Sequence, residues 1–358
     1  MPEGSRAAGC IFSSPPRYST DVLALEQIAC PLCGEESATT LYEQRDFALG
    51  VPGRYALVRC PRCSLLYQNP RIRMDQLELA YPANYPPHTK DPEISRAARR
   101  LDAVGRRVLA QRLGYRHLDP GALSLGARLK SAVRGPRIAK AFVPWVGQGR
   151  LLDVGCAMGR FLRLMASVGW SVSGIEIDPE AAALARQVTP HIFHGDPMDA
   201  PFAPGSFDLV TAFHVLEHLP DPVGVLRRML GWLAPGGIAV VEVPNVSGVG
   251  GRVFGRYWSG LEMPRHLVQF TPETMGALAE RAGGRVVAAT HKTKPRYLIR
   301  SLRNLLDDHD GRGAQVARTV VDSRLGGGVL KLLLELTLPV ARPLRMGEAV
   351  RYVIAPTR

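Results

Sequence analysis

From Gly149 onward the chain alternates short apolar runs with segments whose apolar spacing suits a helix. This alternation is what most constrains the fold, because neighbouring parallel strands need a crossover connection between them, which is usually helical. The long segment Lys292–Met346, between the last two strands, is predicted to be partly helical. We predict an α/β fold on a sheet of seven strands, Arg150–Val154, Val172–Ile177, His191–His194, Phe207–Phe213, Ile238–Val243, Arg285–Thr290 and Ala349–Ala355.

The first of these strands runs into a glycine-containing turn, LLDVGCAMGRF. Gly155 and Gly159 lack a Cβ atom, so a ligand can approach the backbone there. Glu176 ends the second strand, 23 residues after Asp153, close to the offset of ~20 at which an acid binds ribose hydroxyls in dinucleotide folds. Asp196 follows the third strand, where an acceptor could meet an adenine amine. An NAD-linked dehydrogenase is the competing interpretation, but the turn lacks a complete GxGxxG.

Five segments in order, LLDVGCAMGRFL, GIEIDP, GDPMDAPF, FDLVTAFHVLEHLPDP and LAPGGIAVVEVPN, resemble class I S-adenosylmethionine-dependent methyltransferases of types 11, 12 and 23. The resemblance covers about residues 140–290 and implies a Rossmann-like seven-stranded methyltransferase sheet, with Ala349–Ala355 as an antiparallel closing strand. The family's central turn glycine is replaced by Ala157, a mild change. The resemblance also implies the roles of the cofactor-binding residues. Asp153, Gly155 and Gly159 would surround the methionine part, Glu176 would hold the ribose, Asp196 and the Met198 backbone the adenine, and Phe213 with His214 would close the sulfonium side.

Structural roles compete with these assignments at three positions. Asp178 suits an N-cap for a helix beginning at Pro179. Asp208 is interpreted as a strand-end residue without a ligand contact, and Cys156 as a small packed thiol rather than a nucleophile.

Four of the six cysteines form two CxxC pairs, Cys30/Cys33 and Cys60/Cys63. Paired cysteines without a secretion signal favour a metal site over disulfides, and four thiolates suit a structural zinc ion. A hairpin over Leu41–Val58 would bring the pairs together. An iron–sulfur centre or two unrelated thiol pairs are the alternatives. The segment RCPRCSLLYQNPR resembles the zinc ribbon that precedes many bacterial methyltransferases, and the ribbon could serve folding stability or form a wall of the substrate site.

The formal net charge is +13, but the arginines are scattered apart from a modest cluster at Arg96–Arg107. We therefore favour a solvated basic surface over a nucleic-acid footprint. No secretory signal or stretch long enough to span a bilayer is seen, so we expect a cytoplasmic protein. The apolar run Gly328–Leu338 could touch a membrane, but we expect it to pack in the core or in a lid.

Histidine is the expected base near neutral pH, and two positions are candidates for catalysis. His214 lies with Glu217 and His218 after the fourth strand, and all three would share one face if the segment is helical there. Ubiquinone-pathway O-methyltransferases have a similar metal-binding cluster, but His214 replaces one of its carboxylates, so metal binding, base or substrate contact and a structural role all stay open. His266 lies in the insert Asn245–Phe270, with Arg265 as a candidate anion partner; alternatively His266 only positions the helix at Thr271.

These features predict a disordered tail (1–24), a zinc ribbon (25–75), a helical linker or lid (76–145) and a methyltransferase domain (146–358) with inserts at 246–270 and 292–346. The leading hypothesis is O- or C-methylation of a small molecule such as a sugar, polyketide or lipid-linked acceptor, with S-adenosyl-L-methionine and structural Zn²⁺ as cofactors. An RNA methyltransferase with a zinc ribbon is the second hypothesis, and a cofactor-binding module without chemistry is the third.

Overall fold

The computed structural model describes residues 23–81, 101–122, 124–341 and 343–357. The predicted tail therefore falls almost wholly outside the described residues, as do three of the five arginines of the Arg96–Arg107 cluster. Strands in the described part are β1 (Leu25–Glu26), β2 (Thr39–Gln44), β3 (Tyr55–Arg59), β4 (Leu66–Gln68), β5 (Arg71–Ile72), β6 (Arg150–Val154), β7 (Ser171–Glu176), β8 (Ile192–His194), β9 (Phe207–Phe213), β10 (Leu233–Pro244), β11 (Val268–Gln269), β12 (Gly284–Lys292) and β13 (Ala349–Pro356).

Seven of these strands form the central sheet, in the order β12-β13-β10-β9-β6-β7-β8. The five strands from β6 to β10 run parallel, whereas β13 pairs antiparallel with both β10 and β12. The predicted seven-stranded Rossmann-like sheet with an antiparallel closing strand is therefore confirmed. The strand order reverses beside β6, so the carboxyl ends of β6, β7 and β9 border the crevice where ligands bind in open α/β sheets.

Helices cover both faces of the sheet, and local sequence signals fix their ends. Asp102 caps the first helix by accepting from the amide of Gly105 at 2.9 Å, and Gly114 ends it with a φ of 81°, as helix capping favours. The helices are α1 (Ala103–Leu113), α2 (Leu125–Ala141), α3 (Arg160–Ala166), α4 (Pro179–Ala185), α5 (Pro222–Gly231), α6 (Val249–Phe254), α7 (Pro272–Arg281), α8 (Pro295–Asp307), α9 (Arg312–Asp322) and α10 (Arg324–Thr337).

A second sheet contains strands from opposite parts of the chain, in the order β11-β4-β3-β2. The antiparallel pairing of β2 with β3 forms the hairpin predicted over Leu41–Val58. Its fourth strand, β11, comes from the insert after β10, where Val268 pairs with Tyr67. The cysteine-containing segment therefore shares a sheet with the insert that follows β10.

The hydrophobic core is also continuous between the two regions. One cluster contains Cys30, Cys60 and Tyr67 together with Leu152 and Val154 of the central sheet. Burial of apolar surface drives packing, so the cysteine-containing segment is fixed against the central sheet by the same core that stabilises that sheet.

The segment 292–346 contains the helices α8, α9 and α10, as the sequence predicts. The expectation that Gly328–Leu338 packs in the core or a lid is wrong for most of its large apolar side chains. Leu332, Leu333 and Leu336 are exposed, whereas Leu338 is buried. An apolar run identifies a helix but not which of its faces is covered. Within the described residues, none of the helices has the length and apolar character needed to cross a membrane.

Candidate active site

The turn after β6 is bent tightly by glycines. Gly155 and Gly159 have φ values of 69° and 72°, in the left-handed region that favours glycine. A Cβ atom at Gly155 would lie 2.5 Å from Cγ2 of Val215. The amides of Gly155 and Cys156 both donate to the carbonyl of Ile175, at 2.9 and 3.0 Å. The turn is thus held against β7, with its backbone at the carboxyl edge of the sheet.

Glu176 ties the turn to the end of β7. It is 6% exposed, and its two oxygens accept from the amides of Ala157 at 2.7 Å and Asp178 at 2.9 Å. Ala157 has a φ of 46°, so the position where the family has glycine keeps a left-handed conformation in this chain. Each carboxylate oxygen can accept a second hydrogen bond, so Glu176 can hold the loop and still accept from hydroxyls of a ligand.

Asp153 lies beneath the same turn and is 3% exposed. One of its oxygens accepts from the hydroxyl of Thr211 at 2.6 Å. Desolvation, with a smaller contribution from the charge of Glu176, raises the pKa of Asp153 to about 8, although the Thr211 bond lowers it. A cation beside Asp153 would favour its ionised form.

The other residues predicted to bind the cofactor lie around this edge. Asp196 accepts from the amide of Met198 at 2.7 Å and caps a short 3-10 turn. Met198 is 42% exposed, so its side chain is open to a ligand. Phe213, at the end of β9, packs edge-on against Phe161 at 4.9 Å and lies under the guanidinium of Arg351 at 4.7 Å.

His214 follows β9 in a strained conformation, with a φ of 58°. Its Nδ1 lies 3.1 Å from Glu217 and its Nε2 lies 2.7 Å from Nζ of Lys294. Burial and the charge of Lys294 lower the pKa of His214, but the contacts with Glu217 and Glu242 outweigh them and raise it overall. At 2.7 Å one of the two nitrogens must offer a lone pair, because two fully protonated nitrogens cannot hydrogen-bond to each other.

Glu242 lies beside this pair and is a site residue that sequence reasoning missed. It is 5% exposed on β10 and contacts three cations, with Lys292 at 2.6 Å, Arg351 at 3.0 Å and Lys294 at 3.1 Å. Burial alone would raise the pKa of Glu242. The three cations and the contact with His214 outweigh burial, so the pKa of Glu242 lies well below its usual value. Its position inside the otherwise apolar strand AVVEVP is the signal that could have found it, since buried carboxylates are paired.

A second polar cluster consists of Glu217, His218 and His266, whose ligand atoms lie within 4.8 Å of one another. Nδ1 of His266 donates to the carbonyl of Gly260 at 2.8 Å, and Nδ1 of His218 lies 3.2 Å from the carbonyl of Arg265. A carbonyl only accepts, so Nε2 of His266 has a lone pair in the neutral ring.

Oε2 of Glu217 is buried without a hydrogen-bond partner. Burial and the charge of His266 lower the pKa of His218 to about 4, which keeps it neutral near pH 7. Lone pairs therefore converge in this cluster, which can accept a proton or hold a divalent cation.

The five residues from His214 to His218 do not form the regular helix considered from sequence. His214 is left-handed, and only Leu216–His218 form a 3-10 turn. Glu217 still reaches both polar clusters, because its Oε1 contacts His214 while the carboxylate also belongs to the group with His218 and His266.

Side chains that follow the second cysteine pair contact the histidine cluster and its backbone. Nε2 of Gln68 donates to the carbonyls of Pro264 and His266, at 2.9 and 2.6 Å. The Tyr81 hydroxyl lies 3.0 Å from Nδ1 of His218. This region therefore forms a wall behind the histidine cluster.

Arg265 is not the anion partner that the sequence suggested. Its guanidinium is completely buried and forms a bidentate ion pair with Asp46, with both distances 2.8 Å. Asp46 also accepts from the amides of Ala48, Leu49 and Val51. The pair joins the loop after β2 to the insert rather than facing a ligand.

The structural roles expected of Asp178 and Asp208 agree with the structure, whereas a capping role for His266 does not. Asp178 caps α4 through the amide of Ala181, at 2.7 Å. Asp208 forms an ion pair with Arg150 at 2.9 Å, at the end of β9 away from the crevice. His266 does not cap α7, because Thr271 forms that cap.

The four paired cysteines converge on one point. Their sulfurs all lie within 4.8 Å of one another, with Cys30–Cys63 at 3.5 Å and Cys33–Cys60 at 3.4 Å. Gly34 and Ser64, directly after each pair, both have positive φ, so the two turns have matching shapes. A tetrahedral site with Zn–S bonds of ~2.3 Å places sulfurs about 3.8 Å apart, so the four thiols fit a zinc ion.

Comparison with known proteins adds three findings. A ubiquinone biosynthesis O-methyltransferase of Xanthomonas campestris is 36% identical over 104 residues, which are 27% of this chain and 43% of the relative. The enzyme of the same name from Thiobacillus denitrificans is 38% identical over 98 residues, 25% and 41% of the two chains. The chain thus matches less than half the length of these relatives. A SAM-dependent methyltransferase structure from Archaeoglobus fulgidus is 20% identical, with a TM-score of 0.41 and coverage of 64% of this chain and 94% of that one.

The family described as "Methyltransferase domain" matches residues 99–289, which are more than half of the 358 residues. The match contains the glycine turn, Glu176 and the His214–His218 segment. The chain therefore belongs to this methyltransferase family, of the class I, S-adenosylmethionine-dependent kind.

Proposed function

We propose that the protein transfers a methyl group from S-adenosyl-L-methionine to an oxygen or carbon atom of a small-molecule acceptor. The proposal rests on one observation, the closeness of the glycine turn to two histidine–carboxylate clusters. The glycine turn and Glu176 lie at the carboxyl ends of β6 and β7, while two partly buried histidine–carboxylate clusters lie at the end of the neighbouring strand β9. A nucleoside site thus borders groups able to accept a proton.

The chain's residues fit the cofactor at the turn. A side chain at Gly155 would collide with Val215, and the carboxylate of Glu176 retains free lone pairs for hydroxyls. We assign the methionine part to Asp153, Gly155 and Gly159, the ribose to Glu176, the adenine to Asp196 and the Met198 backbone, and the sulfonium side to Phe213.

When bound, the cofactor would supply an electrophilic methyl group. The chain's own task is to orient the acceptor and remove its proton. We assign the base to Nε2 of His266, because its Nδ1 is fixed on Gly260 and Nε2 has the lone pair. His214 would orient Glu217 and hold a shared proton with Lys294.

Two observations support the choice of acceptor and of a structural metal. The relatives of known name are O-methyltransferases, which favours an oxygen acceptor. The sulfur geometry of Cys30, Cys33, Cys60 and Cys63 supports zinc. We further propose the ribbon as residues 25–75, the helical linker as 76–145 and the methyltransferase domain as 146–358.

The first test is calorimetric titration of the zinc-loaded protein with S-adenosylmethionine and with S-adenosylhomocysteine. Glu176→Gln keeps the side chain's size, and it should weaken binding about 10–100-fold because hydrogen bonds to a charged group contribute about 1.5–3 kcal/mol. Glu180→Ala, on an exposed position of α4, should bind like the unchanged protein. Unchanged affinity in folded Glu176→Gln would contradict the cofactor assignment.

The second test follows tritium from labelled cofactor into bacterial small-molecule extract and into bulk RNA. His266→Asn should lower transfer about 100-fold or more without changing cofactor affinity. Label in RNA alone would favour the RNA methyltransferase, and cofactor binding without turnover on any acceptor would favour a binding module.

A further inference from the structure

The described residues contain a concentrated group of exposed apolar side chains on α9, on α10 and just after it. Nine of the 21 large apolar side chains that are exposed lie between residues 316 and 344. Leu325 is 79% exposed and Leu336 is 69% exposed. We call this group the insert surface; its members are Val316, Val320, Leu325, Val329, Leu332, Leu333, Leu336, Val340 and Leu344.

On α10 these side chains follow helical spacing. Leu325, Val329, Leu332 and Leu336 are separated by four, three and four residues, which places them on one face of the helix. The opposite face, with Leu330 and Leu334, is partly buried. An exposed apolar stripe of this length is unusual on a soluble monomer and marks an interaction surface.

A groove lined by cations lies beside the same helix. Arg296, Arg300 and Arg303, on one face of α8, line it together with Lys331 of α10, and its volume is about 350 Å³. Arg303 pairs with Asp322 at 2.7 Å. Lys331 lies 3.7 Å from Glu335, with both side chains more than half exposed.

Arg296 and Arg300 have no acidic partner within the part of the chain that the structure describes. The groove thus has an excess of positive charge and open guanidinium donors, which are the groups that bind phosphate in proteins. Its chemistry differs from that of the methyl-transfer site, and its residues take no part in the proposed reaction.

We propose that the insert surface docks onto an anionic phospholipid bilayer, with lipid phosphate in the α8–α10 groove and the apolar stripe of α10 against the acyl chains. A bilayer presents negative headgroups and apolar chains within a few ångströms of each other, which matches a cationic groove and an apolar stripe on one helix. A second copy of the chain would cover the apolar stripe but would bring two sets of unpaired arginines close together. The charge therefore favours the bilayer.

The test is co-sedimentation of the full zinc-loaded chain with vesicles of phosphatidylcholine, alone or with an equal amount of phosphatidylglycerol. We expect binding to the anionic vesicles and little to phosphatidylcholine, with a marked loss at 0.5 M salt. Arg296→Glu/Arg300→Glu should weaken binding about tenfold or more, and Leu332→Asp/Leu336→Asp should abolish it.

Two matched variants control for general effects of charge and of apolar loss. Leu79→Asp changes an exposed leucine, 58% exposed, outside the insert surface, and Arg281→Glu reverses an exposed charge at the end of α7. Both should bind vesicles like the unchanged protein, and circular dichroism would confirm that every variant is folded. Equal binding to both vesicle types would overturn the proposal. Equal losses of vesicle binding in the two controls would also overturn it. A dimer in sedimentation velocity that Leu332→Asp/Leu336→Asp dissociates, with vesicle binding unchanged, would overturn it as well.

Discussion

Asp46→Ala should destabilise the protein strongly, because it removes the bidentate carboxylate partner of a guanidinium that has no solvent contact. The side chains of Asp46 and Arg265 are both 0% exposed and form two hydrogen bonds of 2.8 Å. Breaking a buried pair by removing one partner costs about 3–5 kcal/mol. The three backbone amides that donate hydrogen bonds to Asp46 would lose their acceptor as well.

Urea unfolding of zinc-loaded protein, followed by tryptophan fluorescence and by circular dichroism, measures this loss. Trp258, one of four tryptophans, is buried in the cluster with Val51 and Tyr55, so part of the signal reports on the contact between the cysteine-containing segment and the insert. We expect a free energy of unfolding lower by about 3–5 kcal/mol. Asp75→Ala, which breaks the exposed Arg73–Asp75 pair, is the matched control and should leave the midpoint almost unchanged.

A double variant distinguishes a buried charge from a general packing defect. Asp46→Ala/Arg265→Met removes both charges and keeps an apolar stem, so it should be more stable than Asp46→Ala alone. If Asp46→Ala cost no more than Asp75→Ala, or if the double variant were less stable than the single one, the argument from a desolvated ion pair would be refuted.

Three further predictions concern the candidate site. Gly155→Ala should lower stability by about 1–3 kcal/mol through overpacking, whereas Gly205→Ala, at a similar φ but in open space, should cost less in a thermal melt. The raised pKa of Asp153 means that it is protonated in the free protein below about pH 8. If its ionised form binds the cofactor, the association constant for the cofactor should rise between pH 6 and 7.5. Calorimetric titrations in which Asp153→Asn shows the same rise would disprove a role for Asp153 ionisation. Gln68→Ala should lower kcat with unchanged cofactor affinity, because the carbonyls beside His266 lose their donor; equal kcat would remove the positioning role.

The central sheet and the glycine turn could be predicted from sequence because their signals are local. Apolar runs, glycine positions and the acid at the end of β7 lie within short stretches. The structure forms strands close to the predicted bounds, except that β10 begins at Leu233, five residues before the predicted Ile238. The cysteine pairs are also a local signal, since the spacing within each pair is enough to shape a metal-binding turn.

The polar networks could not be predicted in this way because their partners are distant in sequence. Asp46 and Arg265 are 219 residues apart, and Glu242 reaches Arg351 across 109. Arg265 was predicted to meet an anionic ligand because its bidentate partner, Asp46, is far away in sequence. The position of His266 in the insert predicts a base. The hydrogen bond from its Nδ1 to Gly260, which leaves a lone pair on Nε2, is visible only in the three-dimensional structure.

The sheet β11-β4-β3-β2 has a consequence for synthesis on the ribosome. Tyr67 of β4 cannot pair with Val268 of β11 until that residue has been synthesised, 201 residues later. At about 5–20 residues per second, that delay is roughly 10–40 s. During this time the edge of β4 is unpaired and the apolar side chains beside the cysteines have no central sheet to pack against. The nascent N-terminal segment should therefore depend on chaperones or early metal capture until the second half of the chain has emerged.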